Sequence, residues 1–228
     1  MQQHMQLQSA YTVDSLNDST NSLTVAFERF YIKSKSSEMT IEFDSRDRNK
    51  QPNELLRLAD MVNQPFRATI DKWGRVSTIT SFSPDTIVSN TKAFTDTAMR
   101  GLLEPLVSFY PNKPVSVGDE WQRSFYSNAG FVNLRMTVLF QLESVHDHIA
   151  NISLKGAATS ISSGDPQMRG MKLKLSGTQQ GTLEIDTTTG LIQNAHFTQN
   201  ISGTISIPNA EIPMTISSDT RIVGKVSP

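Results

Sequence analysis

Six apolar residues occupy alternate positions in residues 132–142, and this run limits the possible folds more than any other feature of the sequence. A period of two predicts a β-strand with one face buried and the other in water. At about 3.3 Å per residue this strand is about 35 Å long, well above the usual length. A second alternating run, residues 150–158, predicts a strand that turns back beside the first.

The same period recurs in residues 1–48 and after residue 170, whereas residues 52–63 and 84–109 change to helical spacing. The predicted fold is therefore mainly β with α+β character: a large curved antiparallel sheet, or half-barrel, wrapped over one long and one short helix. A closed lipocalin-like barrel is the alternative, although a small closed barrel has little room for a helix. No linker divides the chain, so residues 1–228 are predicted to form a single domain.

Composition excludes several classes of protein. Lys and Arg total 21 against 22 Asp and Glu, and this balance argues against binding to nucleic acid or to an anionic membrane. The chain has no cysteine, hence no disulfide or thiolate site, and no apolar run long enough to span a bilayer as a helix. The first ten residues lack the pattern of a signal peptide, so we expect that an N-terminal segment was removed.

Two clusters carry potential chemistry. Residues 146–148 read His-Asp-His and resemble a metal-ligand pair, but their position between two strands predicts a hairpin turn. Glu42 and Asp44 share a strand face, as the carboxylates of glycosidases do, but the neighbouring arginines predict a solvated strand end with local ion pairs. His196 is predicted on a polar face. With no G-x-S-x-G, P-loop or G-x-G-x-x-G motif, we expect no enzyme, no cofactor and no metal site.

Nine methionines, mostly at or beside apolar positions, suit either an ordinary core or a cavity for varied apolar ligands. Trp121 is predicted to pack in the core where a strand begins. Trp73 lies in a hairpin turn and is predicted to form a contact surface. The predicted ligand-lining residues are Met99, Leu102, Met136, Val138 and Phe140.

Residues 110–121, with the pattern P-V-x-V-G-D-x-W, and residues 181–192 resemble an uncharacterised family of bacterial cell-envelope proteins classed as a domain of unknown function. The resemblance implies a secreted protein or lipoprotein of Gram-negative bacteria related to Bacteroides, located in the periplasm or cell envelope, with an anchor on a removed N-terminal segment. It implies no catalytic residues. The predicted sheet over helices is similar to the half-barrel of periplasmic lipoprotein carriers, whose concave side accepts acyl chains.

The first functional hypothesis is a non-catalytic envelope protein that binds an apolar or amphipathic, lipid-like ligand between sheet and helices. The second is a structural or protein-interaction component of the envelope with no small ligand, which uses a sheet edge or the Trp73 hairpin. Glycan hydrolysis is a third reading, which would need two carboxylates facing each other across a cleft.

Overall fold

The computed structural model describes residues 2–17, 20–35, 40–47, 49, 59, 62, 64–81, 100, 103–104, 106–129, 132–161, 172–208 and 210–224. The strands within these residues are β1 (Gln2–Leu16), β2 (Thr20–Lys35), β3 (Thr40–Asp44), β4 (Phe66–Asp71), β5 (Val76–Ser81), β6 (Glu120–Ala129), β7 (Val132–His146), β8 (Ile149–Ser160), β9 (Lys172–Asp186), β10 (Ile192–Ile207) and β11 (Ala210–Val223). They belong to two compact units, Met1–Glu104 and Pro105–Pro228, and each is described by itself.

The first unit contains a five-stranded antiparallel sheet organised around β2. One side of β2 pairs with β1 along most of its length. The other side pairs with β4 through residues 20–25 and with β3 through residues 31–35, and β5 continues the sheet beyond β4. Val25 and Phe27 lie on one face of β2 and are almost fully buried, as their alternation predicts.

The second unit contains a six-stranded antiparallel sheet in which every strand pairs with its neighbours in the chain, from β6 to β11. Along β7, buried side chains alternate with partly or fully exposed ones from Val132 to Leu142. The buried side chains of β7, β8 and β9 form the centre of the hydrophobic core of this unit. The 15-residue β7 confirms the unusually long strand that the sequence predicts.

A two-residue turn joins β7 to β8. Asp147 and His148 have φ values of 49° and 64°, and their neighbours His146 and Ile149 form the last pair of the ladder. Two consecutive residues with positive φ are typical of the type I′ turn, whose twist matches that of the flanking strands. The predicted hairpin turn is confirmed.

The mainly β, antiparallel class is confirmed, with differences in detail. The strands are distributed over two sheets instead of the one large sheet expected, and residues 82–119 separate β5 from β6. The alternative of a closed lipocalin-like barrel is wrong, because neither sheet closes on itself within the described residues. The predicted helices at 52–63 and 84–109 lie mostly outside the described residues, although Ala59, Arg100 and Leu103 are helical. The single-domain assignment stays a prediction.

Candidate functional site

The buried face of the six-stranded sheet is the candidate site. Its centre, on β7 and β8, is closed: Met136, Val138 and Phe140 are only 1%, 1% and 3% exposed. Phe197 on β10 and Ile216 on β11 are only partly buried where they pack against the core, whereas Ala195, Ile201 and Ile205 on β10 are buried. The face therefore combines a closed core with individual apolar side chains on β10 and β11 that are partly accessible.

The predicted lining residues divide into two groups. Met136, Val138 and Phe140 lie at successive positions on the buried face of β7, so the structure brings them together. Met99 and Leu102 lie outside the described residues. A role in ligand binding stays a prediction for all five.

A polar row crosses this apolar face. Strand register places Val138 on β7, Gly156 on β8, Gln179 on β9, Gln199 on β10 and Ser218 on β11 opposite one another in turn. Three of these five residues carry a polar side chain on a face that is otherwise lined largely by apolar residues and glycine. Because side chains directly opposite in antiparallel strands have Cβ atoms about 5 Å apart, the two glutamines are immediate neighbours.

Gln179 is surrounded by glycines in a patch of the sheet that we call the glycine recess and define by Gly156, Gly177, Gln179 and Gly181. Gly177 and Gly181 occupy the adjacent positions of the same face on β9, and Gly156 is the cross-strand partner on β8. The close approach of the strands requires glycine here: a Cβ at Gly177 would lie 2.1 Å from the carbonyl oxygen of Asn200, and one at Gly181 2.2 Å from that of His196. Three of the four nearest positions around Gln179 therefore carry no side chain.

The side-chain amide of Gln199 makes a weak hydrogen bond. Its Nε2 lies 3.5 Å from the thioether sulfur of Met136, so the two side chains meet across β8 and β9. Sulfur is a poor hydrogen-bond acceptor. The glycine and alanine positions between them, Gly177 and Ala158, leave room for this contact.

Solvent reaches the glutamines. Gln179 makes no side-chain hydrogen bond within the described part of the chain, and no buried side-chain nitrogen or oxygen there lacks a partner. The amide of the half-buried Gln179 is therefore accessible from the apolar face. A sequence signal exists in the pattern Gly-Thr-Gln-Gln-Gly at 177–181, but only the strand register shows that Gln179 faces the apolar side.

Hydrogen bonds and a ring contact hold residues 109–121 against the six-stranded sheet. The buried indole Nε1 of Trp121 donates to the carbonyl oxygen of Phe109 at 2.7 Å, and its ring stacks on Phe140 with centroids 5.7 Å apart. The hydroxyl of Tyr110 donates to the carbonyl oxygen of Gly190 at 2.7 Å, and burial raises the pKa of Tyr110 to about 12. The predicted core position of Trp121 is confirmed, and the P-V-x-V-G-D-x-W segment has a structural role.

Trp73 lies half-buried in the turn between β4 and β5. The carboxylate of Asp71 accepts hydrogen bonds from the backbone N–H groups of Trp73 and Arg75 at 2.8 and 2.9 Å, and Gly74 has a φ of 78°. The Lys72 ammonium lies 4.7 Å from the centroid of the indole ring. The use of Trp73 as a contact surface stays a prediction.

A polar depression of about 320 Å³ lies where β9, β10 and β11 run side by side. His196 Nε2 lies 2.9 Å from Asp219 Oδ2, and this hydrogen bond lowers the pKa of the Asp219 carboxyl. Asn194 donates to Glu184 at 2.6 Å. His196 is thus on a polar face as predicted, in an exposed hydrogen bond to Asp219.

The paired carboxylates of β3 are occupied by ion pairs. The guanidinium of Arg29 binds Asp44 through Nε at 3.2 Å and Nη2 at 2.5 Å, and these hydrogen bonds raise the pKa of Arg29. Glu42 lies 3.5 Å from the Lys33 ammonium. The carboxylates are ion-paired, but their partners Arg29 and Lys33 lie on β2 and are not the neighbouring arginines that the sequence predicted, and Asp44 is buried rather than solvated.

The described residues contain no group of three or more His, Cys, Asp or Glu that could hold a metal ion. None of the helical residues that the structure describes belongs to a helix with the length and apolar character needed to cross a bilayer.

Comparison with known proteins gives one match. Residues 85–192, a little under half of the chain, are similar to a family described as "Family of unknown function (DUF6263)". This stretch includes the P-V-x-V-G-D-x-W segment, Met136 and Gln179. No curated protein and no solved structure matches the chain.

Proposed function

We propose that this chain is a non-catalytic cell-envelope protein that binds an apolar or amphipathic, lipid-like ligand against the buried face of the six-stranded sheet. One observation carries the proposal: the accessible apolar margin of that face, formed by Phe125, Leu173, Phe197, Met214, Ile216 and Ile222 beside a fully buried core. Accessible apolar surface next to a few polar groups is typical of small-molecule sites.

The location in the periplasm or cell envelope, and attachment by a lipid, rest on the sequence resemblance and form part of the same proposal. Fractionation of the native organism tests the location, with recovery in the cytoplasmic fraction as the outcome that contradicts it.

The binding proposal is tested with the protein purified from its native source without detergent. Native mass spectrometry, followed by denaturation and identification of released molecules, should reveal a stoichiometric apolar ligand. The delipidated protein should then bind the neutral fluorescent probe N-phenyl-1-naphthylamine. A protein that carries nothing and binds no probe would contradict the proposal.

Adjacent residues of β11 provide matched variants. Ile216 lies on the apolar face and Thr215 on the exposed face of the same strand. Ile216→Asn should weaken probe binding, whereas Thr215→Asn should leave it unchanged, provided that both variants melt as folded proteins. Equal effects of the two substitutions would argue against a ligand on this face.

A second candidate, a protein-interaction component, is favoured by the edge strand β11. This strand is 14 residues long, pairs only with β10 among the described strands, and exposes Ile212 and Val223 by 46% and 71%. Exposed edge strands can pair with a strand of another protein. Capture from envelope extracts should then recover a specific partner, and recovery of none would count against this function.

A further inference from the structure

We propose that the glycine recess recognises a neutral carbonyl group, an ester of an acylated ligand, through the side-chain amides of Gln179 and Gln199. This inference rests on the proposed lipid-binding function and specifies the chemistry of the ligand's polar part. In this proposal the two glutamines select among apolar ligands by binding the carbonyl group.

The position of the glutamines supports recognition in preference to a structural role. They are direct cross-strand neighbours on a face otherwise lined largely by apolar side chains and glycine. In the described residues Gln179 has no side-chain hydrogen bond, and Gln199 has only the Met136 thioether. A carbonyl oxygen is a much better acceptor than a thioether, so a ligand carbonyl would improve the hydrogen bonding of Gln199.

The surroundings of Gln179 are backbone and apolar atoms. Gly156, Gly177 and Gly181 carry no side chain, and a Cβ at these positions would lie 2.9 Å from Val138 Cγ2, 2.1 Å from the Asn200 carbonyl oxygen and 2.2 Å from the His196 carbonyl oxygen. The diagonal neighbours on β8 and β10 are apolar, with Leu154 and Phe197 on one side and Ala158 and Ile201 on the other. An ester bound to the amides would therefore have apolar side chains beside its acyl chain.

Charge favours a neutral group over a carboxylate. An amide pair offers both donors and acceptors and no net charge. Neither amide supplies the positive charge that would pair with a carboxylate.

The test compares two ligands and two adjacent glutamines. Displacement of N-phenyl-1-naphthylamine is measured with 1-monolauroylglycerol, a neutral ester, and with laurate, its anionic counterpart. Gln179→Leu replaces the amide with an apolar group of similar size, and Gln180→Leu makes the same change on the exposed face of the same strand.

We expect the wild type to prefer the ester, and Gln179→Leu to bind it about fivefold to tenfold more weakly, as for one lost hydrogen bond. Gln180→Leu and the probe affinity itself should be unchanged, and Gln199→Leu should act like Gln179→Leu. If the wild type binds the probe but prefers laurate, or if Gln179→Leu leaves ester affinity unchanged, the carbonyl assignment is overturned and the lipid-binding function stands. If the wild type binds neither the probe nor either lipid, both proposals fail.

Discussion

Replacing Trp121 by phenylalanine tests the structural role of the connector before β6. The indole Nε1 is the donor to the Phe109 carbonyl oxygen at 2.7 Å, and both residues are buried. Leaving a buried carbonyl without its donor costs about 2 kcal/mol. The smaller ring leaves a void of about 40 Å³, which adds about 1 kcal/mol at about 24 cal/mol per Å³. We therefore expect Trp121→Phe to lower the free energy of unfolding by about 3 kcal/mol.

The other tryptophan of the chain provides the control. Trp73 is half-buried in a hairpin turn, and phenylalanine preserves an aromatic ring beside the Lys72 ammonium. Trp73→Phe should therefore cost less than about 1 kcal/mol. Urea unfolding followed by far-ultraviolet circular dichroism measures both variants, and the fluorescence of each reports on the tryptophan that remains. Equal losses in the two variants, or a loss below about 1 kcal/mol for Trp121→Phe, would refute the reasoning.

Three further predictions follow from the turns and glycines. Gly177→Ala should cost about 3 kcal/mol in urea unfolding, because its Cβ would lie 2.1 Å from the backbone oxygen of Asn200; a loss below about 1 kcal/mol would contradict this contact. His148→Gly should raise the free energy of unfolding by up to about 1 kcal/mol, because it relieves a non-glycine residue with a φ of 64°, and destabilisation would argue against the turn geometry. The Thr188 backbone N–H donates to the Asp186 carboxylate and lowers the pKa of that carboxyl. The stability from this hydrogen bond is therefore lost as the pH falls through the usual carboxyl range towards the lowered pKa, and the urea midpoint should fall more for the wild type than for Asp186→Asn. Parallel curves for the two proteins would contradict the assignment.

Features encoded locally could be predicted from the sequence. The apolar period of two fixes β7 as a strand with one buried face, and no information from other strands is needed to see it. The turn at residues 146–148 follows from its place between two such runs. Trp121 could be assigned to the core because it opens a strand directly after a Gly-Asp turn.

Features that depend on pairing between strands could not be predicted. The division into two sheets depends on which strands become neighbours, and alternation within a strand does not specify its partner. The glycine recess was missed for the same reason. Only the strand register shows that Gly156 on β8 and Gln199 on β10 lie beside Gln179.

The strictly sequential order of the six-stranded sheet has a consequence for how this unit folds. Each strand from β6 to β11 pairs only with strands adjacent in the chain, so its contacts have low sequence separation for an all-β structure. Loop-closure entropy is then small at every step, and low contact order favours rapid folding. Only two residues separate the paired strand ends of the β6–β7, β7–β8 and β10–β11 hairpins, so these hairpins have the smallest loop-closure cost and are the expected nuclei. The remaining strands can add to these hairpins in the order in which a ribosome releases them, without waiting for a distant partner.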